Sequence, residues 1–139
     1  MVIGVGTRRR GDDAAGLEVA RRLRGRVAAH EHEGDGAGLI DAWTGAADVV
    51  VVDAAASGAA PGTVRRFDAR AEPLPARALR ASSHHFGIAD AVELARALER
   101  LPDHLEVIAI EGADFSAGVQ LSAAVERAID ELVDDLTRR

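Results

Sequence analysis

Four valines in a row, Val49 to Val52, narrow the folds open to this chain. A strand with one face in water alternates apolar and polar residues. One that is apolar throughout must be covered on both faces, as in a parallel sheet with helices on each side. Val2 to Val5 reads the same way, and Leu105 to Ile110 adds a further strand. Val27 to Glu33 reads as a polar strand near an edge, and Thr63 to Phe67 as a short one. Helical spacing fills the gaps. Residues 13–24 form a first helix stopped near Gly25, and Leu39, Ile40 and Trp43 mark a short second one before Gly45. Ser82-Ser-His-His85 introduces a third, with Phe86, Ile88, Ala89, Val92, Ala95 and Leu98 as its apolar positions and Pro102 closing it. The last runs from about Ser122 to Thr137, with Val125, Ile129, Leu132, Val133 and Leu136 on one face. Alternating strands and helices predict a single α/β domain over residues 1–139, with a twisted, mostly parallel sheet of about five strands sandwiched between helices.

The chain has 139 residues, long enough to bury about two-thirds of its unfolded surface. Only 3% of residues are aromatic, so Ala, Val, Leu and Ile must fill the core. A net charge of −6 argues against nucleic acid or an anionic membrane as the main partner. The absence of cysteine excludes disulfides, thiolate metal sites and a cysteine nucleophile. No apolar stretch is long enough to span a membrane, and the first strand starts beside Met1, where a signal peptide would otherwise stand. A cytoplasmic protein is expected. The sequence leaves its oligomeric state open.

The first strand runs through Gly4 and Gly6, which are expected to bend it, then through Arg8-Arg-Arg10 to Asp12 and Asp13 at a helix entrance. Asp is favoured there, because its carboxylate accepts bonds from free backbone N–H groups and meets the positive end of the helix dipole. Both aspartates therefore read as caps. One cap needs only one of them, and the second invites another role.

In open parallel sheets ligands bind outside the carboxyl ends of the strands. Asp13 follows the first strand, Asp53 ends the valine strand, and Ser82, Ser83, His84 and His85 precede a long helix. Two hard oxygen donors and one nitrogen suit a divalent ion such as Zn, Ni or Mn. Each residue also has an ordinary explanation. Asp13 reads as a cap, His84 as a solvated or capping residue, and Ser82 and Ser83 as N-cap material. His30 and His32 alternate on a strand, where they face one metal together or simply decorate an exposed edge. Glu111, at the end of the last strand, reads as a partner for loop N–H groups. Asp53 is the hardest to dismiss, because a strand end needs no aspartate.

A dinucleotide site is a rival reading of Gly4-Val-Gly6. It fails on spacing, because the third glycine, Gly11, comes five residues after Gly6 instead of three. Two aspartates at the helix start would also oppose a pyrophosphate. No Gly-Lys-Ser or Gly-Lys-Thr is present, so a P-loop is excluded.

Gly4-Val-Gly6 followed by Arg10-Gly-Asp-Asp-Ala-Ala-Gly16 resembles the opening motif of the hydrogenase maturation proteases. Later segments fit in the same order: Val50-Val-Val-Asp-Ala54, Ser82-Ser-His-His-Phe-Gly87, Ile110-Glu-Gly112 and Gly118-Val-Gln-Leu-Ser122. Each motif alone is weak; the ordered set, spread over nearly the whole chain, is specific. The resemblance implies an α/β endopeptidase that trims a C-terminal peptide from the precursor of a nickel–iron hydrogenase large subunit. It implies that Asp13, Asp53 and His84 bind the metal and carry the catalysis, with Ser83 in the usual Thr place and His85 where Gly is usual. The nickel belongs to the substrate and is sensed by these ligands, with no organic cofactor.

In this reading Asp13 or Asp53 is the general base on water, while the metal or His84 polarises the carbonyl. This is aspartic-type endopeptidase chemistry. The family usually has Asn followed by Pro or another residue and Leu in the first loop; here Thr7, Arg8 and Arg9 stand at those places. Arg8 to Arg10 read as a solvated loop or as a contact for an acidic part of the precursor. The alternative from another class is a non-catalytic metal-binding or chaperone-like module that recognises the nickel site without cutting.

Overall fold

The computed structural model describes residues 1–34, 36–75, 78, 79 and 86–139. The chain runs as β1 (Val2–Gly6), a 3-10 turn (Gly11–Ala14), α1 (Ala15–Leu23), β2 (Ala29–Glu33), α2 (Leu39–Trp43) and β3 (Asp48–Ala55). It continues as β4 (Val64–Asp68), α3 (Ile88–Ala97), β5 (His104–Glu111) and α4 (Ala123–Arg138). The strands form one sheet in the order β2-β1-β3-β5-β4. β1 pairs in parallel with β2 and β3, and β3 with β5, while β4 runs antiparallel to β5 at the far edge. The expected α/β sandwich is the observed one.

The valine run explains the layering. Side chains alternate across a strand. Val49 and Val51 point to a core shared with Leu39 and Trp43 of α2 and with Ile88, Val92 and Ala95 of α3. Val52 points to a core shared with Val19 and Leu23 of α1 and with Val125, Ile129, Leu132 and Leu136 of α4. The largest buried side chain is Trp43, whose indole N–H donates to the Arg100 carbonyl at 3.1 Å.

Gly4 and Gly6 do not bend the first strand; β1 passes straight through both. Their function is clearance. A Cβ on Gly4 would sit 1.9 Å from the Gly16 carbonyl oxygen, and one on Gly6 would sit 2.3 Å from that of Asp13. A Cβ on Gly16 would in turn lie 2.2 Å from the Val52 carbonyl oxygen. The missing side chains let the 3-10 turn and α1 lie directly on the backbone of β1 and β3.

Several boundaries differ from the sequence expectation, three of them beside the candidate site. The first helix enters through the 3-10 turn, so regular α-helix starts at Ala15. β3 continues past Asp53 to Ala55, because β5 pairs with it along the whole stretch from Asp48↔His104 to Ala55↔Glu111. α3 starts at Ile88, where the Gly87 N–H donates to the Asp90 carboxylate at 2.9 Å. Gly87 therefore holds the N-cap position expected of Ser82 or Ser83, and those two residues lie outside the described part of the chain.

Candidate active site

β1 is followed by a crossover to β2 on one side, while β3 lies on its other side. The strand order therefore reverses between β1 and β3, and the carboxyl ends of the strands at such a switch point are where ligands bind in open parallel sheets. Gly6, Ala55 and Glu111 mark that end. Among the described residues the buried acidic side chains are Asp12 (0% exposed), Asp13 (6%), Asp53 (0%) and Glu111 (3%). All four stand on or just beyond these strand ends. Burying a carboxylate is costly unless it is paired or hydrogen-bonded, so their gathering at one rim calls for an account of each.

Two of them hold loops. Asp12 is not a cap of its own helix; the N-cap positions are Arg10 for the 3-10 turn and Ala14 for α1. Its carboxylate reaches the β5–α4 loop, accepting the N–H groups of Ala113 at 2.7 Å, Asp114 at 3.2 Å and Ser122 at 2.8 Å. The Ser122 hydroxyl donates to it as well, at 2.9 Å. Since Ser122 is the N-cap of α4, this negative charge sits at the favourable end of that helix. Glu111 accepts the Ser57 N–H at 3.0 Å and the Ser57 hydroxyl at 2.6 Å, fixing the loop after β3. Its expected part as a loop partner is what the structure shows.

Asp13 and Asp53 are the other two. The Asp13 carbonyl accepts the Thr7 N–H at 3.1 Å, and its own N–H donates to the Arg10 carbonyl at 3.1 Å, so the residue is pinned to the loop that leaves β1. The 3-10 turn that carries Asp13 packs against β3. Asp53 lies inside β3, in register with Ala109, on the face shared with Val51 and Ala55. That face is covered by α3, the helix His84 precedes in the sequence. His84 and His85 themselves lie outside the described residues. Among the described residues no three His, Cys, Asp or Glu side chains are grouped to hold a metal ion.

The remaining expectations divide. His30 and His32 lie on β2, the edge strand at one side of the sheet. His30 is exposed and His32 half-buried. Arg8 is less free than a solvated loop implies. It reaches Glu33 at 3.0 Å and Glu31 at 3.1 Å, and those carboxylates raise its pKa above the ordinary arginine value. Arg9 and Arg10 are exposed. Arg9 adopts φ 61°, and its carbonyl accepts the Gly118 N–H at 2.7 Å. Sequence reasoning missed the work of Asp12, although the second aspartate of the doublet was the available signal that two jobs were being done.

The model of the hydrogenase maturation protease family matches residues 19–139, starting just after the Asp12–Asp13 turn. No curated protein is significantly similar to this chain in sequence. Among solved structures, the hydrogenase maturating endopeptidase HybD from Escherichia coli is 22% identical, with a TM-score of 0.78 over 97% of this chain and 87% of that one. The NiFe hydrogenase maturation protease HybD from Thermococcus kodakarensis is 25% identical, with a TM-score of 0.75 over 99% and 95% of the two chains. HycI from the same organism is 21% identical, with a TM-score of 0.68 over 99% and 88%. These likenesses reach into the first loop, which the family match leaves out. With the family match spanning most of its length, the chain belongs to the hydrogenase maturation protease family.

Proposed function

We propose that this chain is an endopeptidase that removes a short C-terminal peptide from the precursor of a nickel–iron hydrogenase large subunit once nickel has been inserted. The observation that carries this reading is the burial of Asp13 and Asp53 at the carboxyl ends of β1 and β3, the switch point of the sheet, in a family member. Two carboxylates and the imidazole of His84 form a donor set that suits a divalent ion such as nickel. The ion arrives as part of the precursor, and its recognition licenses the cut. No organic cofactor takes part, and the cytoplasm is the working compartment. Among the described residues no helix is long and apolar enough to cross a membrane.

In the reaction, Asp13 or Asp53 takes a proton from water as the water oxygen attacks the scissile carbonyl carbon. The substrate's nickel or His84 polarises that carbonyl. The proton then passes to the amide nitrogen as the C–N bond breaks, so one water is consumed and a carboxyl and an amine are produced. With no cysteine in the chain, a thiolate nucleophile is excluded, and water is the attacker in this reading.

The test is a mass measurement on large-subunit precursor from the same source, incubated with this protein with and without nickel loaded. Loss of a C-terminal peptide from the nickel-loaded form alone is the expected result. Binding without loss of mass would replace this reading with a non-catalytic module that recognises the nickel site. Thr7, standing where the family usually has Asn, is the observation that favours that second reading.

A further inference from the structure

The turn bearing Asp13 is bracketed to the β5–α4 loop by more than the Asp12 side chain. The Asp12 N–H donates to the Asp114 carbonyl at 2.8 Å, and the Gly118 N–H donates to the Arg9 carbonyl at 2.7 Å. The two segments touch so closely that a Cβ on Gly112 would lie 2.8 Å from that of Asp12. One on Gly11 would lie 2.3 Å from the Asp114 carbonyl oxygen. Asp12 stands at the centre of this bracket, fully buried, with both carboxylate oxygens engaged by donors.

We infer that Asp12 is a positioning residue for the reaction, acting through its neighbour Asp13; this rests on the reading of Asp13 as part of the active site. The short turn has no side-chain cap bond from Arg10; beyond its backbone bonds to Thr7 and Arg10, what orients it is the loop that Asp12 grips. The grip joins two strand ends. The turn leaves β1 and the gripped loop leaves β5, with β3 between them in the sheet. Asp13 is thereby fixed relative to β3, the strand that carries Asp53. Freeing the turn displaces one carboxylate from the other, and an error of about 1 Å in a reacting group costs on the order of 100-fold in rate.

The variant is Asp12→Asn. One of its two terminal atoms becomes a donor facing N–H donors, so the grip is broken without a change of shape. Leu136→Ala, at the other end of the molecule, serves as a control that loses core stability without touching the rim. Both are assayed on nickel-loaded precursor at a temperature where circular dichroism shows them folded. Amide hydrogen exchange is followed in parallel at Thr7, Asp12 and Asp13.

For Asp12→Asn, kcat per folded molecule should fall about 10- to 100-fold with KM little changed, and those three amides should exchange faster. Leu136→Ala should keep kcat. Equal kcat in the two variants, or unchanged exchange at the three amides, overturns the positioning role. A wild-type chain that leaves the precursor intact overturns the proposed function instead, and the grip on the turn is then decided by amide exchange alone.

Discussion

Arg65 and Asp53 stand on either side of Ala109, in one row across the sheet and on the same face. Both residues register with Ala109, one from β4 and the other from β3. Two strand spacings separate their backbones, about 10 Å. The guanidinium of Arg65 lies 5.7 Å from the ring centre of Phe67, and its Nη2 is buried with no hydrogen-bond partner among the described residues.

A guanidinium held mainly by an aromatic ring contributes little to stability. Arg65→Met should therefore change the unfolding free energy by no more than about 1 kcal/mol in urea titration. A loss of about 3 kcal/mol or more would show that the cation compensates a buried carboxylate across the row.

Asp53→Asn should lower cleavage of nickel-loaded precursor by about 100-fold or more while leaving the circular dichroism spectrum unchanged. Its strand is held by backbone pairing with β5 along its whole length, so the fold does not depend on the carboxylate. Undiminished activity would remove Asp53 from the mechanism.

The contact between α1 and β1 makes two glycines respond differently to the same change. Gly4→Ala puts a methyl group into the Gly16 carbonyl and should cost about 3 kcal/mol in urea titration. Gly25→Ala meets nothing within 4 Å, but φ is +89° there, so a cost of about 1 kcal/mol is expected. Equal costs would mean that α1 can lift off the sheet.

Glu18 gives the acid side of the stability profile one identifiable contribution. A side-chain hydrogen bond from Arg21 lowers its pKa most; partial burial opposes this, and Arg22 adds to the lowering. A carboxyl whose folded pKa is depressed stabilises the protein above its unfolded value, here 4.5, and loses that contribution as pH falls through the folded value. Glu18→Gln should lower stability at neutral pH by less than about 1 kcal/mol, because its main partner, Arg21, is exposed to solvent screening. The difference should vanish at about pH 2. Thermal melts of both proteins across that range test it, and a pH-independent difference would contradict it. Arg22 also reaches Glu126 at 2.6 Å and Asp130 at 2.5 Å, so the same cluster ties α1 to α4.

Apolar pattern carried the architecture well. Val49–Val52 announced a strand covered on both faces, and the five apolar positions read for the last helix are all buried. Patterning failed where partner length or clearance decided the outcome. Nothing local in Asp53-Ala-Ala55 shows that β5 is long enough to extend β3 beyond the aspartate. Nothing in Gly4-Val-Gly6 tells a bend from a close approach, because the helix that presses on it comes later in the chain. Asp12 is the clearest case. Its donors lie about a hundred residues away, so the doublet hinted at a second role but nothing local showed what that role was.

The parallel ladders have a consequence for the order in which the molecule comes into being. β1 meets β3, and β3 meets β5, only after long stretches of intervening chain have been made. Such distant pairings form slowly and late in folding. The turn that bears Asp13 thus meets β3, the strand of Asp53, only in a finished sheet, and Asp12 finds its donors only when β5 and the start of α4 exist. On the proposed reading of the site, chemistry that needs all three is withheld from a nascent or half-folded chain, which has no carboxylate pair with which to act before its own folding is complete.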